Sequence, residues 1–159
     1  MIDTDADATV DRYFRQCAVS VTCRDLAVMA ATLANRGRNP LTRQVALDER
    51  YVESVLSVMS TCGMYDASGE WMFRIGLPAK SGVAGGLLAV LPGQLGIGLF
   101  SPRLDGHGNS TRGIKMCERI AADFDLHPMH FQPDVGGVVR VGVAGRCRTA
   151  ESHSRRYLE

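Results

Sequence analysis

An excess of charge of one sign is missing from this sequence: Lys plus Arg number 18 and Asp plus Glu 17 in 159 residues, a net +1. A strongly basic nucleic-acid binder or an acidic solvating chain would not show that balance, so no nucleic-acid partner is expected. No apolar run reaches the roughly 18 residues that a membrane-spanning helix needs, and no membrane partner is expected either. The opening residues, Met1-Ile2-Asp3-Thr4-Asp5-Ala6-Asp7, are acidic and lack the basic and apolar regions of a secretory signal, so the expected setting is the cytosol. There is no C-x-x-C pair, and the five cysteines (Cys17, Cys23, Cys62, Cys117, Cys147) are an odd number. That argues against a disulfide framework or a zinc knuckle and for buried, reduced thiols. Of the four histidines, His127 and His130 would share a helical face, but Pro128 disfavours helix there and a surface loop is expected. Asp3, Asp5, Asp7 and Asp11 lack the glycine and terminal glutamate of a calcium loop. What is present, 45% apolar and 22% charged residues, suits one globular domain at this length.

The first half reads as helices. Tyr13, Phe14, Cys17, Ala18 and Val21 recur at spacings of three and four, predicting one buried face. Thr22 caps a second helix with Asp25 in its first turn and Leu26, Met29, Ala30 and Leu33 on its apolar side; Asn35-Arg36-Gly37 stops it. A third helix opens at Asp48, buries Val52, Val55, Leu56 and Met59, and ends at Cys62-Gly63. From Trp71 the period changes to two. Three strands are predicted at roughly 71–77, 84–91 and 95–101, the last two joined by a Pro92-Gly93 turn into an antiparallel hairpin. Gly96 and Gly98 imply a closely covered sheet face. A helix capped at Asn109 or Ser110 is available for it, with Ile114, Cys117, Ile120, Ala121 and Phe124 along its side. Residues 132–159 read as a mobile tail or linker beyond a unit at 1–131. The core is thin, and the chain looks like part of a larger sheet.

Few residues carry chemistry by themselves. Lys80-Ser81-Gly82 leads into an apolar strand and would set an amine, a hydroxyl and the next amide, that of Val83, along a cleft edge; a solvated turn is the alternative. Tyr65, after a helix end, is either a proton donor and acceptor or a ring packed with its hydroxyl in water. Tyr13 has the same two readings. Pro102-Arg103-Leu104-Asp105 and His107-Gly108-Asn109 read as a loop with a helix cap.

Five stretches occur in order: Tyr13-Phe14-Arg15-Gln16-Cys17, Val28-Met29-Ala30-Ala31-Thr32-Leu33-Ala34-Asn35, Cys62-Gly63-Met64-Tyr65-Asp66, Gly76-Leu77-Pro78-Ala79-Lys80-Ser81-Gly82-Val83-Ala84-Gly85-Gly86 and Ser101-Pro102-Arg103-Leu104-Asp105. Over about residues 10–130 this series resembles the serine-dependent glutaminases, which hydrolyse L-glutamine to L-glutamate and ammonia on a β-lactamase-like fold. The resemblance implies an α/β fold of β-lactamase/transpeptidase type, here a partial antiparallel sheet with flanking helices, and no metal or organic cofactor. It implies that Tyr65 takes part in proton transfer and touches substrate, that Tyr13 contacts substrate, and that the Val83 N–H helps form the oxyanion hole. Lys80-Ser81-Gly82 is similar to the Lys-Thr-Gly strand of the β-lactamases.

One family feature is lacking. The nucleophile stands in a Ser-x-x-Lys motif, and no such motif occurs here; the two lysines are Lys80 and Lys115. In the family the nucleophile, its lysine, and an Asn and a Glu that bind substrate lie upstream of the position of Tyr13. The chain thus resembles the C-terminal part of a glutaminase domain. Losing a nucleophile costs about six orders of magnitude in rate, so the isolated chain is expected to be inactive. Its expected partners are L-glutamine and either the N-terminal half of the domain or further copies in a homo-oligomer. The alternative is a non-catalytic module that docks on an intact glutaminase subunit.

Overall fold

The helix from Cys23 to Ala34 (α2) organises the molecule, and its start is fixed by two neighbouring side chains. The Thr22 hydroxyl accepts from the Asp25 N–H at 3.2 Å while the Asp25 carboxylate accepts from the Thr22 N–H at 2.8 Å. This reciprocal cap holds the Asp25 pKa below the ordinary carboxylate value, through the Thr22 backbone and then the Thr22 hydroxyl. The chain is described, from a computed structural model, over residues 5–130. Before α2 comes α1 (Ala6–Cys17); after it come α3 (Glu49–Cys62), a single 3-10 turn (Tyr65–Ala67) and α4 (Ser68–Arg74). Strands β1 (Ala79–Ser81), β2 (Gly86–Leu91) and β3 (Leu95–Phe100) and a last helix, α5 (Thr111–Asp123), complete the order.

The three strands form one antiparallel sheet in the order β1-β2-β3. Ser81 faces Leu87 across the first pair, and Gly86 to Leu91 face Phe100 to Leu95 across the second. The hairpin turns at Pro92-Gly93, as the sequence predicts; Gly93 has φ 77°, and its N–H donates to Ala34 O at 2.9 Å, tying the turn to the end of α2. Alternation then assigns each face. Leu88 and Val90, with Gly98 and Gly96 opposite, lie under α2 and α3, where Ala30, Ala34, Met59 and Val90 are buried together. Leu87, Ala89 and Ile97 lie on the other face with Trp71 and Ile75 from the α4 segment and Cys117 and Ala121 from α5. Burial pushes the Cys117 thiol pKa up to about 12.

The structure revises several expectations. Residues 71–77 are not a strand: α4 runs to Arg74, and the sheet starts at Ala79. Trp71 and Ile75 are four apart, so a helix buries both, while Phe73, between them, is 84% exposed. The Trp71 Nε1–H donates to Leu77 O at 2.7 Å and Gly76 has φ 78°, which turns the chain into β1. The helix over the glycine face is α2 rather than α5. A Cβ on Gly96 would lie 2.1 Å from Ala31 N and one on Gly98 2.3 Å from Ala27 N, so bare backbone lets helix and sheet touch. Asn109 is not the cap of α5; Ser110 is, accepting from Gly113 N–H at 3.1 Å. Phe124 is exposed, outside the core that takes Ile114, Cys117, Ile120 and Ala121.

The face predicted for the first helix is not buried either. No residue of α1 is buried; Tyr13 and Phe14 are exposed, and Val19 and Val21 lie beyond the helix end at Cys17. Cys17, Cys23 and Cys62 are likewise exposed, so among the described cysteines Cys117 alone is the buried thiol expected. Cys147 and the predicted tail at 132–159 lie outside the described residues. No described helix is long and apolar enough to cross a membrane.

Candidate active site

Tyr65 stands where α3 ends and the chain turns towards α4. The turn is tight because Gly63 leaves room for β1: a Cβ there would lie 1.7 Å from Ala79 O. In return the Ser81 N–H donates to Gly63 O at 3.0 Å, so the Cys62-Gly63-Met64-Tyr65 and Ala79-Lys80-Ser81 stretches, distant in sequence, are joined backbone to backbone. Tyr65 has φ 56°, the left-handed region, which costs an L-residue on the order of 1–3 kcal/mol and persists only where its surroundings dictate it.

From there the Tyr65 hydroxyl donates to Ser81 O at 3.2 Å. The Lys80 Nζ donates to the same carbonyl and lies 4.7 Å from the centroid of the Tyr65 ring. A phenol hydroxyl and an ammonium therefore converge on one backbone oxygen. The ammonium over the ring face is a cation–π contact that favours a single placement for both. Proton transfer at the phenol would take place beside a fixed positive charge, which stabilises negative charge as it develops.

Lys80 and Ser81 also line an open cleft of about 520 Å³ whose other wall is Val21, Thr22, Cys23 and Leu26. The Thr22–Asp25 cap thus fixes one side of the cleft while β1 supplies the other. Ser81 offers its carbonyl and not its hydroxyl: the residue is 1% exposed, its side chain is on the face shared with Leu87, and its Oγ is buried with no partner among the described residues. Gly82 and Gly85 close the next turn, with Gly82 N–H to Gly86 O at 2.9 Å and Gly85 N–H to Gly82 O at 2.8 Å. That leaves Val83 at the tip, 74% exposed, its N–H without an acceptor among the described residues.

Of the residues singled out from sequence, Tyr65, Lys80 and Ser81 meet, with Gly82 and Val83 following directly. Tyr13 does not join them. It lies on the exposed α1, its ring 6.2 Å from that of Phe14, and a hydrogen bond with the Cys17 side chain raises its phenol pKa above the usual value. Sequence reasoning missed the supports of Tyr65. Ser68 Oγ accepts from Met64 N–H at 3.0 Å and donates to Tyr65 O at 2.8 Å, and the Asn109 Nδ2–H donates to Met64 O at 3.1 Å. Asp105 Oδ1 accepts from His107 N–H and Asn109 N–H, both at 2.9 Å, which folds the 105–109 loop behind the tyrosine. The signal available was the Asp105-x-His107 Asx turn, a side chain capping a backbone two residues on.

A family profile for Glutaminase matches residues 1–129. The chain belongs to the glutaminase family. Glutaminase 2 of Bradyrhizobium diazoefficiens is 51% identical to it over 164 residues, which take in 100% of this chain and 26% of that protein. The glutaminase of Trichormus variabilis is 58% identical over 127 residues, 80% of this chain and 38% of the relative. The chain thus spans between a quarter and two-fifths of the length of these relatives. Among solved structures, that described as Mglu superposes with a TM-score of 0.76 at 51% identity, over 82% of this chain and 33% of the other. The Bacillus subtilis glutaminase YbgJ superposes with a TM-score of 0.76 at 32% identity, over 80% of this chain and 46% of that one. It was solved as a covalent complex with 5-oxo-L-norleucine, formed by reaction with 6-diazo-5-oxo-L-norleucine. The sheet and its two helical layers are therefore part of a β-lactamase-like glutaminase domain.

Proposed function

We propose that this chain supplies one wall of a glutaminase active site and hydrolyses L-glutamine to L-glutamate and ammonia once the rest of the domain is joined to it. The observation that carries this reading is the convergence of the Tyr65 hydroxyl and the Lys80 ammonium on Ser81 O, at the edge of an open cleft in a glutaminase-family chain. A serine hydroxyl from the complementary part attacks the side-chain amide carbon of glutamine. The proton released passes through Tyr65 to the departing ammonia, and water then hydrolyses the glutamyl ester. The Val83 N–H stabilises the oxyanion at each addition, and Tyr13 contacts the substrate as a neutral hydroxyl. The covalent complex of the Bacillus subtilis relative supports a route through an enzyme-bound intermediate. The α1 face and the outer edge of β3 supply surfaces for the N-terminal half or for a second copy in a homo-oligomer.

Ammonia release from L-glutamine tests the reading, measured on the purified chain and on the chain co-expressed with the N-terminal part of a glutaminase relative. The chain alone stays at the level of an active-site-blocked control, and the pair turns over. A pair that forms but releases no ammonia favours the alternative, a non-catalytic docking module. Turnover by the chain alone would show that the nucleophile lies within it, with Ser81 the first to be replaced.

A further inference from the structure

The backbone of Tyr65 is held from both sides. Its φ and ψ are rotations against the two peptide groups that flank its Cα, and each of those carries one carbonyl, Met64 O and Tyr65 O. Asn109, reaching across 45 positions of sequence, donates from Nδ2 to Met64 O at 3.1 Å, and Ser68 donates to Tyr65 O at 2.8 Å. Ser68 Oγ also accepts from Met64 N–H, so one hydroxyl spans the residue before the tyrosine and the tyrosine itself. Fixing both carbonyls leaves the left-handed φ of 56° with no rotation to relax through.

Packing alone would not select these side chains. Asn109 is fully buried, and its Oδ1 has no hydrogen-bond partner among the described residues, a cost that an apolar residue of the same shape would avoid. Rotating the amide by half a turn would set Oδ1 against Met64 O, so the donor must point at that carbonyl. Asp105, through its bond to the Asn109 N–H, holds the loop that presents it.

We propose that Ser68 and Asn109 are positioning residues that lock both peptides of Tyr65 and thereby aim its hydroxyl at the Lys80–Ser81 edge, a role in turnover that rests on the glutaminase reading above. They touch neither substrate nor reacting atoms.

The two lysines provide a direct readout. Lys80 Nζ lies 4.7 Å from the Tyr65 ring centroid, and Lys115 is the only other lysine, so a chain labelled with 13C at the lysine ε carbons gives two signals. The Lys80 ε protons feel the ring current of Tyr65, and Tyr65→Leu gives their position without it. In Ser68→Ala and in Asn109→Leu the Lys80 signal moves most of the way to the Tyr65→Leu position, while Ser68→Thr, which keeps the hydroxyl, restores it. In the enzyme completed with the N-terminal part, kcat for L-glutamine falls about 100-fold in Ser68→Ala while KM changes less than about threefold, as expected for a misplaced group. A Lys80 signal that stays at its parent position in a folded Ser68→Ala variant would overturn the proposal and leave Ser68 and Asn109 as mere packing. Should Asn109→Leu fail to fold, Ser68→Ala and Ser68→Thr decide the matter, since they differ by a small hydroxyl-bearing group. If the completed parent enzyme releases no ammonia, the glutaminase reading falls, and the Lys80 signal still decides whether the two side chains aim Tyr65.

Discussion

At the scale of single residues, Tyr65 concentrates what is unusual. It combines a left-handed backbone, a hydroxyl on Ser81 O and an ammonium over its ring, each documented by geometry. Tyr65→Phe removes the oxygen and keeps the ring and the cation–π contact, so it separates proton transfer from shape. In the completed enzyme it should lower kcat by about 10² to 10⁴-fold with little change in KM, the range for losing a general acid–base group. Steady-state ammonia release checks this, and a rate within a few fold of the parent would remove Tyr65 from proton transfer. The residue scale is also where sequence reasoning found most of the candidate site. Lys80, Ser81 and Tyr65 stand in stretches that resemble those of a family, which singled them out one by one, while their meeting on Ser81 O is seen only in the fold. The roles of Ser68 and Asn109 were not, because both act on backbone atoms, and a bond from Asn109 to Met64 O leaves no pattern in a single sequence.

At the scale of elements, the closest packing is α2 on β3. With Gly98 Cβ projected 2.3 Å from Ala27 N, any side chain there forces the helix off the sheet. Gly98→Val is expected to destabilise the chain by about 1–3 kcal/mol or more, the cost of overpacking a fitted interface. Urea denaturation gives the number, and an unchanged midpoint would mean that α2 moves freely on the sheet. Sequence anticipated the cap at Thr22, the opening of the third helix at Asp48 and the Pro92-Gly93 hairpin because each rests on a bond between near neighbours in the chain. It failed at Trp71, Phe73, Ile75 and Leu77. Alternate apolar residues satisfy a strand, yet Trp71 and Ile75 also satisfy one helical side, and the burial of both against Met64 and Cys117 settled the choice. It also placed the wrong helix over the glycines, since bare backbone on a strand announces a close neighbour without saying which.

At the scale of the whole molecule, α1 and the outer edge of β3 stand uncovered among the described residues. The α1 helix buries none of its side chains, and β3 has β2 on one side and no strand on the other. Unpaired strand edges promote association, so the isolated chain should sediment as larger species with rising concentration, and adding the N-terminal part should suppress this by forming a defined complex. Sedimentation velocity at several loadings is the check; a monomer at every loading would mean that neither surface is adhesive. The same gap accords with a chain that spans less than half the length of each of the relatives compared above, and with the proposal that it supplies one wall of a site. Among the described residues one backbone–backbone bond crosses from the tyrosine side of the proposed site to the strand side, the Ser81 N–H on Gly63 O at 3.0 Å. Its amide proton exchanges with solvent deuterium only when the two sides part. The lifetime of that single proton is thus a built-in clock for how often the wall of the cleft comes apart, and it can be read without substrate, partner or turnover.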